Sequence, residues 1–131
     1  MRKYEIRVDI YNASLLVCIG SADSYYTFLR GVHGDEVADE MATTTSVGKF
    51  TRVSDNECIS YYVWVESFDW TIKEQGILLH EILHFVNALF CDIGMPVVVD
   101  TEEPFAYLLQ YVFSETWSKI IRYDGKNKKA A

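Results

Sequence analysis

The sequence predicts an α+β fold in which a sheet of about four strands, antiparallel or mixed, packs on one buried helix and a C-terminal helix closes the structure. Three observations support this class. The first half of the chain contains four short segments with strand-like patterns, a densely apolar helical segment follows at residues 76–90, and a second helical pattern covers residues 105–120. With 131 residues the chain suits a single domain, which we expect to span residues 1–125.

The predicted strands form two pairs. They are residues 4–11, 15–19, 49–53 and 58–65. The first strand alternates apolar and polar side chains, which is typical of a strand with one buried face, and the second is continuously apolar. These two strands form a predicted β-hairpin around Asn12-Ala13, and residues 54–57 form the turn that joins the other two.

The segment between the two pairs of strands is predicted to contain one short helix and a loop. Ser21 or Asp23 caps this helix, and Gly31 ends it. Residues 31–48 are predicted to be mostly loop, with one turn of helix near residues 36–41.

The apolar helix follows the fourth strand directly. Asp69 or Thr71 is its predicted N-cap, because both side chains can accept a hydrogen bond from the first turn of a helix. Gly94 is the predicted end of the helix, since Pro96 prevents its continuation.

The final helix is predicted to begin at Asp100 or Thr101 and to present one apolar face. That face consists of Phe105, Leu108, Leu109, Val112, Phe113, Trp117 and Ile120. Asp124-Gly125 is predicted to stop the helix, and residues 126–131 are predicted to be a disordered basic tail outside the domain.

Composition and charge exclude some classes of partner. The net charge is −7, and no basic stripe occurs before the last residues, so neither nucleic acid nor an anionic membrane is an expected partner. No apolar run approaches the length of a membrane span or of a signal peptide. The three cysteines are widely spaced and odd in number, which favours unpaired, buried thiols in a reducing compartment. A cytoplasmic location is therefore expected.

The apolar helix contains His80-Glu81-Ile82-Leu83-His84, an H-E-x-x-H pattern. On a helix, residues four apart share one face, so both imidazoles can hold one zinc ion. Glu81 lies about 100° from His80 around the axis, beside the metal without being a ligand. The spacing therefore predicts a hydrolytic site in which Glu81 takes a proton from the metal-bound water.

The surroundings of the motif favour metal binding over a coincidence of residues. Apolar side chains occur on nearly all sides of the helix between residues 77 and 90, which predicts a buried central helix with little solvated face. Burying three titratable groups without partners is unfavourable, and buried polar groups in proteins are paired or coordinate metals. A single zinc ion would supply the missing partner.

A catalytic zinc site needs a third protein ligand. A third histidine on the same helix is absent, because Asn87 and Phe90 occupy the places of the extended motif, and His33 is interpreted as a surface loop residue. The final helix offers Glu102 and Glu103, of which only Glu103 shares a face with the later polar positions of that helix. Glu102 remains the alternative.

The motif and the start of the final helix together resemble a known family. His80-Glu81-x-x-His84 followed by Glu103-Pro-Phe-Ala-Tyr107 is similar to the glutamate-ligand branch of the zincin metallopeptidases, the gluzincins, and to small single-domain metallopeptidases of phages and mobile elements. The resemblance implies that His80, His84 and Glu103 are zinc ligands and that Glu81 is the general base. It covers only residues 80–107.

Two further expectations follow from the resemblance. A strand at the edge of the sheet, expected within Cys58–Val65, would bind a peptide or protein substrate by main-chain pairing. Tyr107 stands where many gluzincins have an aspartate, and it is either a stabiliser of the oxyanion or a packing residue with its hydroxyl in water. Glu103 also suits the first turn of a helix without a metal, through the helix dipole or through capping-box spacing with Asp100.

The function predicted from these residues is zinc-dependent hydrolysis of peptide bonds. Zinc would lower the pKa of its bound water to about 7, and Glu81 would accept the proton and pass it to the leaving amine. The alternative is an inactive module of the same fold that binds a metal or a protein partner, because little chain follows His84 to build a second wall of a cleft. Self-association through Tyr61, Tyr62 or Trp64 is a further possibility, and the oligomeric state is not predicted.

Overall fold

The computed structural model describes residues 1–42 and 46–130, with side chains described as far as residue 125. Its elements, in chain order, are β1 Arg2–Val8, β2 Ala13–Ile19, α1 Ala22–His33, α2 Asp35–Met41, β3 Gly48–Asp55, β4 Cys58–Val65, α3 Ile72–Asp92 and α4 Glu102–Ala130. Short 3-10 turns cover Asp9–Tyr11 and Val99–Thr101. The predicted α+β class is confirmed, and the sheet is mixed. No helix in the described part of the chain is long and apolar enough to cross a membrane.

The four strands lie in the order β1-β2-β4-β3. The predicted hairpin is confirmed, because β1 and β2 pair antiparallel with Arg2 opposite Ile19. β2 and β4 are parallel, and β3 and β4 are antiparallel. β4 is therefore an interior strand with both edges paired, so the expectation that Cys58–Val65 is a substrate-binding edge is wrong. The edges of the sheet are β1 and β3.

Helices cover both faces of the sheet. One face packs on α1 and α2 around a small apolar cluster in which the rings of Tyr25 and Trp64 stack at 5.5 Å. The other face packs on α3 and α4 around the larger core, which includes Ile6, Val17 and Phe85. α3 is the central helix of that core, because its apolar side chains contact both the sheet and α4.

α4 runs antiparallel to α3 and along β1. The rings of Phe90 and Phe105 lie 5.4 Å apart, while Trp117 donates a hydrogen bond to Gln75 near the other end of α3. Along β1, the Tyr111 hydroxyl donates to the carbonyl oxygen of Arg7 at 2.7 Å. Lys119 donates to the carbonyl oxygen of Glu5 in the same way. α4 thereby occupies the outer hydrogen-bonding edge of β1.

Several boundaries differ from those predicted. α1 continues through Gly31 to His33, and the single helical turn expected near residues 36–41 is the two-turn helix α2. α4 continues past Asp124-Gly125 to residue 130, so the predicted stop is wrong there. One glycine inside a helix costs only about 1 kcal/mol, and the lysines that follow it are good helix formers. Residues 43–45, within the predicted loop, lie outside the described residues.

The cysteines are free, as predicted, but they are not all buried. Cys18 is buried on β2, where desolvation raises the pKa of its thiol to about 12. Cys58 and Cys91 are exposed. The interpretation of all three as buried apolar residues therefore applies only to Cys18.

Candidate metal centre and groove

The start of α3 is fixed by a capping interaction. Of the two predicted N-caps, Thr71 is the one used, since its hydroxyl oxygen accepts a hydrogen bond from the backbone N–H of Glu74 at 3.2 Å. The carboxylate of Glu74 accepts bonds from the Thr71 hydroxyl and from the backbone N–H of Asp69. These bonds hold the pKa of Glu74 below its ordinary value, with the bond from Thr71 the largest cause.

His80 and His84 meet on the solvent-exposed face of α3. Their Nε2 atoms lie 3.1 Å apart, and the ring planes are inclined at 77°. The expectation that α3 buries both histidines is wrong, because its buried side chains are confined to the half that faces the sheet and α4. The edge of a tetrahedral zinc site with N ligands measures about 3.3 Å, given Zn–N bonds of about 2.0–2.1 Å. The two histidines therefore fit two corners of such a site.

Glu81 lies one residue further round α3, on the side that faces β3. The residue is only 9% exposed, and its carboxylate has no hydrogen-bond or ion-pair partner among the described residues. It shares a groove of about 440 Å³ with His80, and the start of β3 forms the opposite wall. We call this cavity the β3 groove. The carboxylate faces the groove, where solvent or a bound group can pair with it.

Gly48 allows β3 to approach α3 closely at this groove. A Cβ atom at Gly48 would lie 2.6 Å from Cγ2 of Ile77 and 3.5 Å from Cγ of Glu81. The first distance is shorter than real Cβ contacts, so any larger residue would push the strand away from the helix. The absence of a side chain at Gly48 keeps the start of β3 directly beside Glu81.

The outer edge of β3 borders the same groove. Glu66 N–H donates to the carbonyl oxygen of Val47 at 3.0 Å, on the inner side next to β4. Hydrogen-bonding directions alternate along an antiparallel pair, so the N–H and C=O groups of Gly48, Phe50 and Arg52 point outward. Within residues 1–42 and 46–130, no group bonds to these outward positions. In the described part of the chain, the outer edge of β3 is therefore unpaired.

Glu103 and Tyr107 lie towards the other end of α3. Phe105 contacts Phe90, which is about 9 Å along the helix axis beyond His84. Because α4 is antiparallel to α3, its first turn lies further still from the histidine pair. The structure does not bring Glu103, or the alternative Glu102, to the two imidazoles.

α3 itself explains this separation. It continues two turns beyond His84 to Asp92, so the chain turns back only after it has travelled away from the histidines. The side chain of Tyr107 is exposed and lines a separate groove with Ile10. In the described ranges, no three His, Cys, Asp or Glu side chains form a metal-binding group. The structure therefore brings together two of the three predicted ligands, His80 and His84, and places the predicted third, Glu103, away from them.

Two other polar residues form interactions that the sequence did not predict. His33 is not a surface loop residue: its side chain is 5% exposed at the end of α1, and its Nε2 lies 2.6 Å from the hydroxyl of Tyr62. Asp92, at the end of α3, accepts both guanidinium bonds of Arg52 at 2.8 Å and a hydrogen bond from the hydroxyl of Tyr61 at 2.6 Å. The bonds from Arg52 lower the pKa of Asp92 and tie the middle of β3 to the end of α3.

Neither the role of Gly48 nor the unpaired edge of β3 was predicted from the sequence. A glycine at the start of an alternating segment is the one signal present, and it marks close backbone approach without naming the partner. Comparison of the chain with protein-family models, with curated proteins and with solved structures finds no match. The resemblance to zincins therefore rests on the sequence motif alone.

Proposed function

We propose that this chain is a zinc-dependent metallopeptidase of zincin type that binds its peptide substrate along the edge of β3. The observation that carries the proposal is the unpartnered carboxylate of Glu81, which shares one groove with His80 and with an open strand edge. A peptide paired with Gly48 and Phe50 would run beside Glu81 and the histidine pair. The zincin class of the fold is part of this proposal.

His80 and His84 are the residues that would hold the metal. A bound zinc ion would supply Lewis-acid activation of the attacking water and of the scissile carbonyl. Glu81 would accept the proton of the attacking water and return it to the leaving amine. Its position favours this role, because the carboxylate lines the same groove as His80 and no described residue pairs with it. Glu103 as third ligand would require the first turn of α4 to move towards the histidines.

One observation favours the second candidate, a metal-binding module without catalytic activity. The described residues offer two metal ligands, and the surface around His80 and His84 is open to solvent, where a site without a third protein ligand binds metal weakly. Such a module has no need of Glu81 as a proton acceptor. Replacement of Glu81 therefore separates the two functions.

The test compares the purified chain with Glu81→Gln. We expect the wild type to bind about one zinc ion and to hydrolyse a fluorescent casein substrate, and Glu81→Gln to bind the same amount of zinc with hydrolysis reduced at least about 100-fold. The zinc content of each protein is measured by inductively coupled plasma mass spectrometry. Glu36→Gln, which removes an exposed carboxylate on α2, is the matched control and retains full activity.

Two results decide against the peptidase. Hydrolysis that is unchanged in Glu81→Gln removes Glu81 as the proton acceptor. Stoichiometric zinc binding without hydrolysis of casein or of a mixed peptide library by the wild type supports the non-catalytic module instead.

A further inference from the structure

The groove that contains Tyr107 has no role in the proposed hydrolysis. It lies between α4 and the 3-10 turn after β1, on the side of the molecule where α4 begins, and has a volume of about 400 Å³. Its apolar lining includes Val8, Ile10, Pro104, Tyr107, Leu108 and Tyr111. We call this cavity the α4 groove.

The apolar side chains around the α4 groove are unusually exposed. Ile10 is 83% exposed and Tyr107 is 64% exposed, and Tyr111 is exposed along the same face of α4. Val99, just before α4, is 85% exposed. Large apolar side chains scattered singly on a surface need no explanation, but a contiguous set around a groove is typical of an interaction site.

Two glutamates flank the exposed tyrosines of the groove on α4. On α4, Glu103 lies one turn before Tyr107 and Glu115 lies one turn after Tyr111, so a carboxylate stands at each end of the row of tyrosines. Neither glutamate forms an ion pair with a described residue. Two cations lie on the β1 side: Arg7 is already paired with Asp9 at 3.1 Å, and Lys119 donates to the carbonyl oxygen of Glu5. An apolar centre with an acidic rim is complementary to an apolar segment flanked by lysine or arginine.

We propose that the α4 groove docks a basic amphipathic segment of another protein, whose apolar face contacts Ile10 and Tyr107 and whose cations pair with Glu103 and Glu115. An amphipathic helix laid into an apolar groove is a recurrent mode of peptide recognition, and its charged rim steers the encounter. The site is independent of the histidines, so it does not rest on the proposed peptidase activity.

The test uses synthetic peptides of about 18 residues, five helical turns. The probe is a labelled amphipathic Leu/Lys helix. Its controls are a Leu/Glu helix and a Leu/Lys peptide of the same composition with the leucines scattered. By fluorescence anisotropy we expect the amphipathic Leu/Lys peptide to bind at least about tenfold more tightly than either control, and to weaken in about 0.5 M salt.

Variants locate the site. Ile10→Ser and Tyr107→Ser each weaken binding of the Leu/Lys helix at least about fivefold, and Glu103→Lys with Glu115→Lys weakens it further. Ile72→Ser is the matched control: Ile72 is 89% exposed at the start of α3, far from the groove, and its replacement leaves binding unchanged. Circular dichroism confirms that each variant is folded.

Four outcomes overturn the proposal. They are equal binding of the scattered peptide, equal loss in Ile72→Ser, self-association of the chain that Ile10→Ser abolishes, and binding of phosphatidylcholine vesicles that Ile10→Ser abolishes. The third would assign the groove to a second copy of the chain, and the fourth would assign it to a lipid surface.

Discussion

The two edges of the sheet are completed in different ways. β1 is covered along its length: Tyr111 and Lys119 donate to its outward carbonyl oxygens, and Arg2 at its start pairs with Asp124 near the end of the described side chains of α4. The outward groups of β3, at the other side of the sheet, bond to no described residue. A protein normally blocks its exposed strand edges, because they attract other strands.

This difference indicates on which side of the molecule each kind of binding partner fits. The covered edge lies beside α4, where Glu103 and Tyr107 are found, and the open edge lies beside His80 and Glu81. Residues that the sequence motif joins into one site are therefore divided between two sides of the molecule. One side offers an open strand and a nearly buried carboxylate, and the other offers an apolar groove with an acidic rim.

The largest expected effect is on zinc affinity, which should depend strongly on His80 and hardly at all on Glu103. His80→Ala should weaken zinc binding at least about 100-fold, because loss of a ligand costs no less than loss of the groups that orient it. Glu103→Ala should change it by no more than about twofold, as expected of an exposed residue far from the site. Competition with a chromogenic chelator measures both, and Glu102→Ala is the control. Equal losses in His80→Ala and Glu103→Ala would mean that α4 reaches the histidines, and the division into two sides would fail.

The sequence predicted those parts of the fold that local patterns determine. Alternation located β1, a continuous apolar run located β2, and the four-residue spacing correctly placed His80 beside His84, because each of these depends on the geometry of one element. The position of Glu103 depended on where α3 ends. For Glu103 to reach the histidines, α3 would have to end about two turns sooner. Nothing between His84 and Gly94 marks such an earlier end.

The burial of α3 was misjudged for a related reason. Leu79 and Leu83 contributed to an apolar pattern on all sides of the helix, yet both are about 40% exposed beside the histidines. A single sequence indicates which residues are apolar, but it does not indicate how many faces of a helix the other elements can cover. The sheet and α4 cover one half of α3, and His80 and His84 lie on the other half.

Smaller effects are expected at two glycines, Gly48 on β3 and Gly76 on α3. Replacing them with alanine should change the free energy of unfolding in opposite directions. Gly48→Ala should destabilise the fold by about 1–3 kcal/mol, because the new methyl group meets Ile77 at 2.6 Å. Gly76→Ala, in the exposed first half of α3 with no atom within 4 Å of the new methyl group, should stabilise it by up to about 1 kcal/mol. Urea denaturation measures both free energies of unfolding.

A double variant shows whether the contact with Ile77 is the cause. Ile77→Ala removes the atom that Gly48→Ala would meet, so the cost of Gly48→Ala should fall in the Ile77→Ala background. An unchanged cost would show that the contact with Ile77 is not what makes Gly48→Ala destabilising.

The smallest expected effects on stability come from single interactions that anchor the two edge strands. β3 is anchored through the ion pair of Arg52 with Asp92, whereas the bond of Tyr111 to β1 is a neutral one. Because the pair is partly exposed, Arg52→Met should cost about 1 kcal/mol at neutral pH. Tyr111→Phe should cost about 0.5–1 kcal/mol at any pH between 5 and 8.

The pH dependence of these stabilities distinguishes the two variants more clearly than their values at neutral pH. The pKa of Asp92 is lowered in the folded state, so the stability it contributes is present above its unfolded pKa of about 3.9 and is lost as the pH falls through its folded pKa. The wild type and Tyr111→Phe should therefore lose stability together below about pH 4, and the difference between the wild type and Arg52→Met should shrink over that range. A difference that persists unchanged to about pH 2 would show that Arg52 acts by packing, and that β3 is held to α3 without the charge of Asp92.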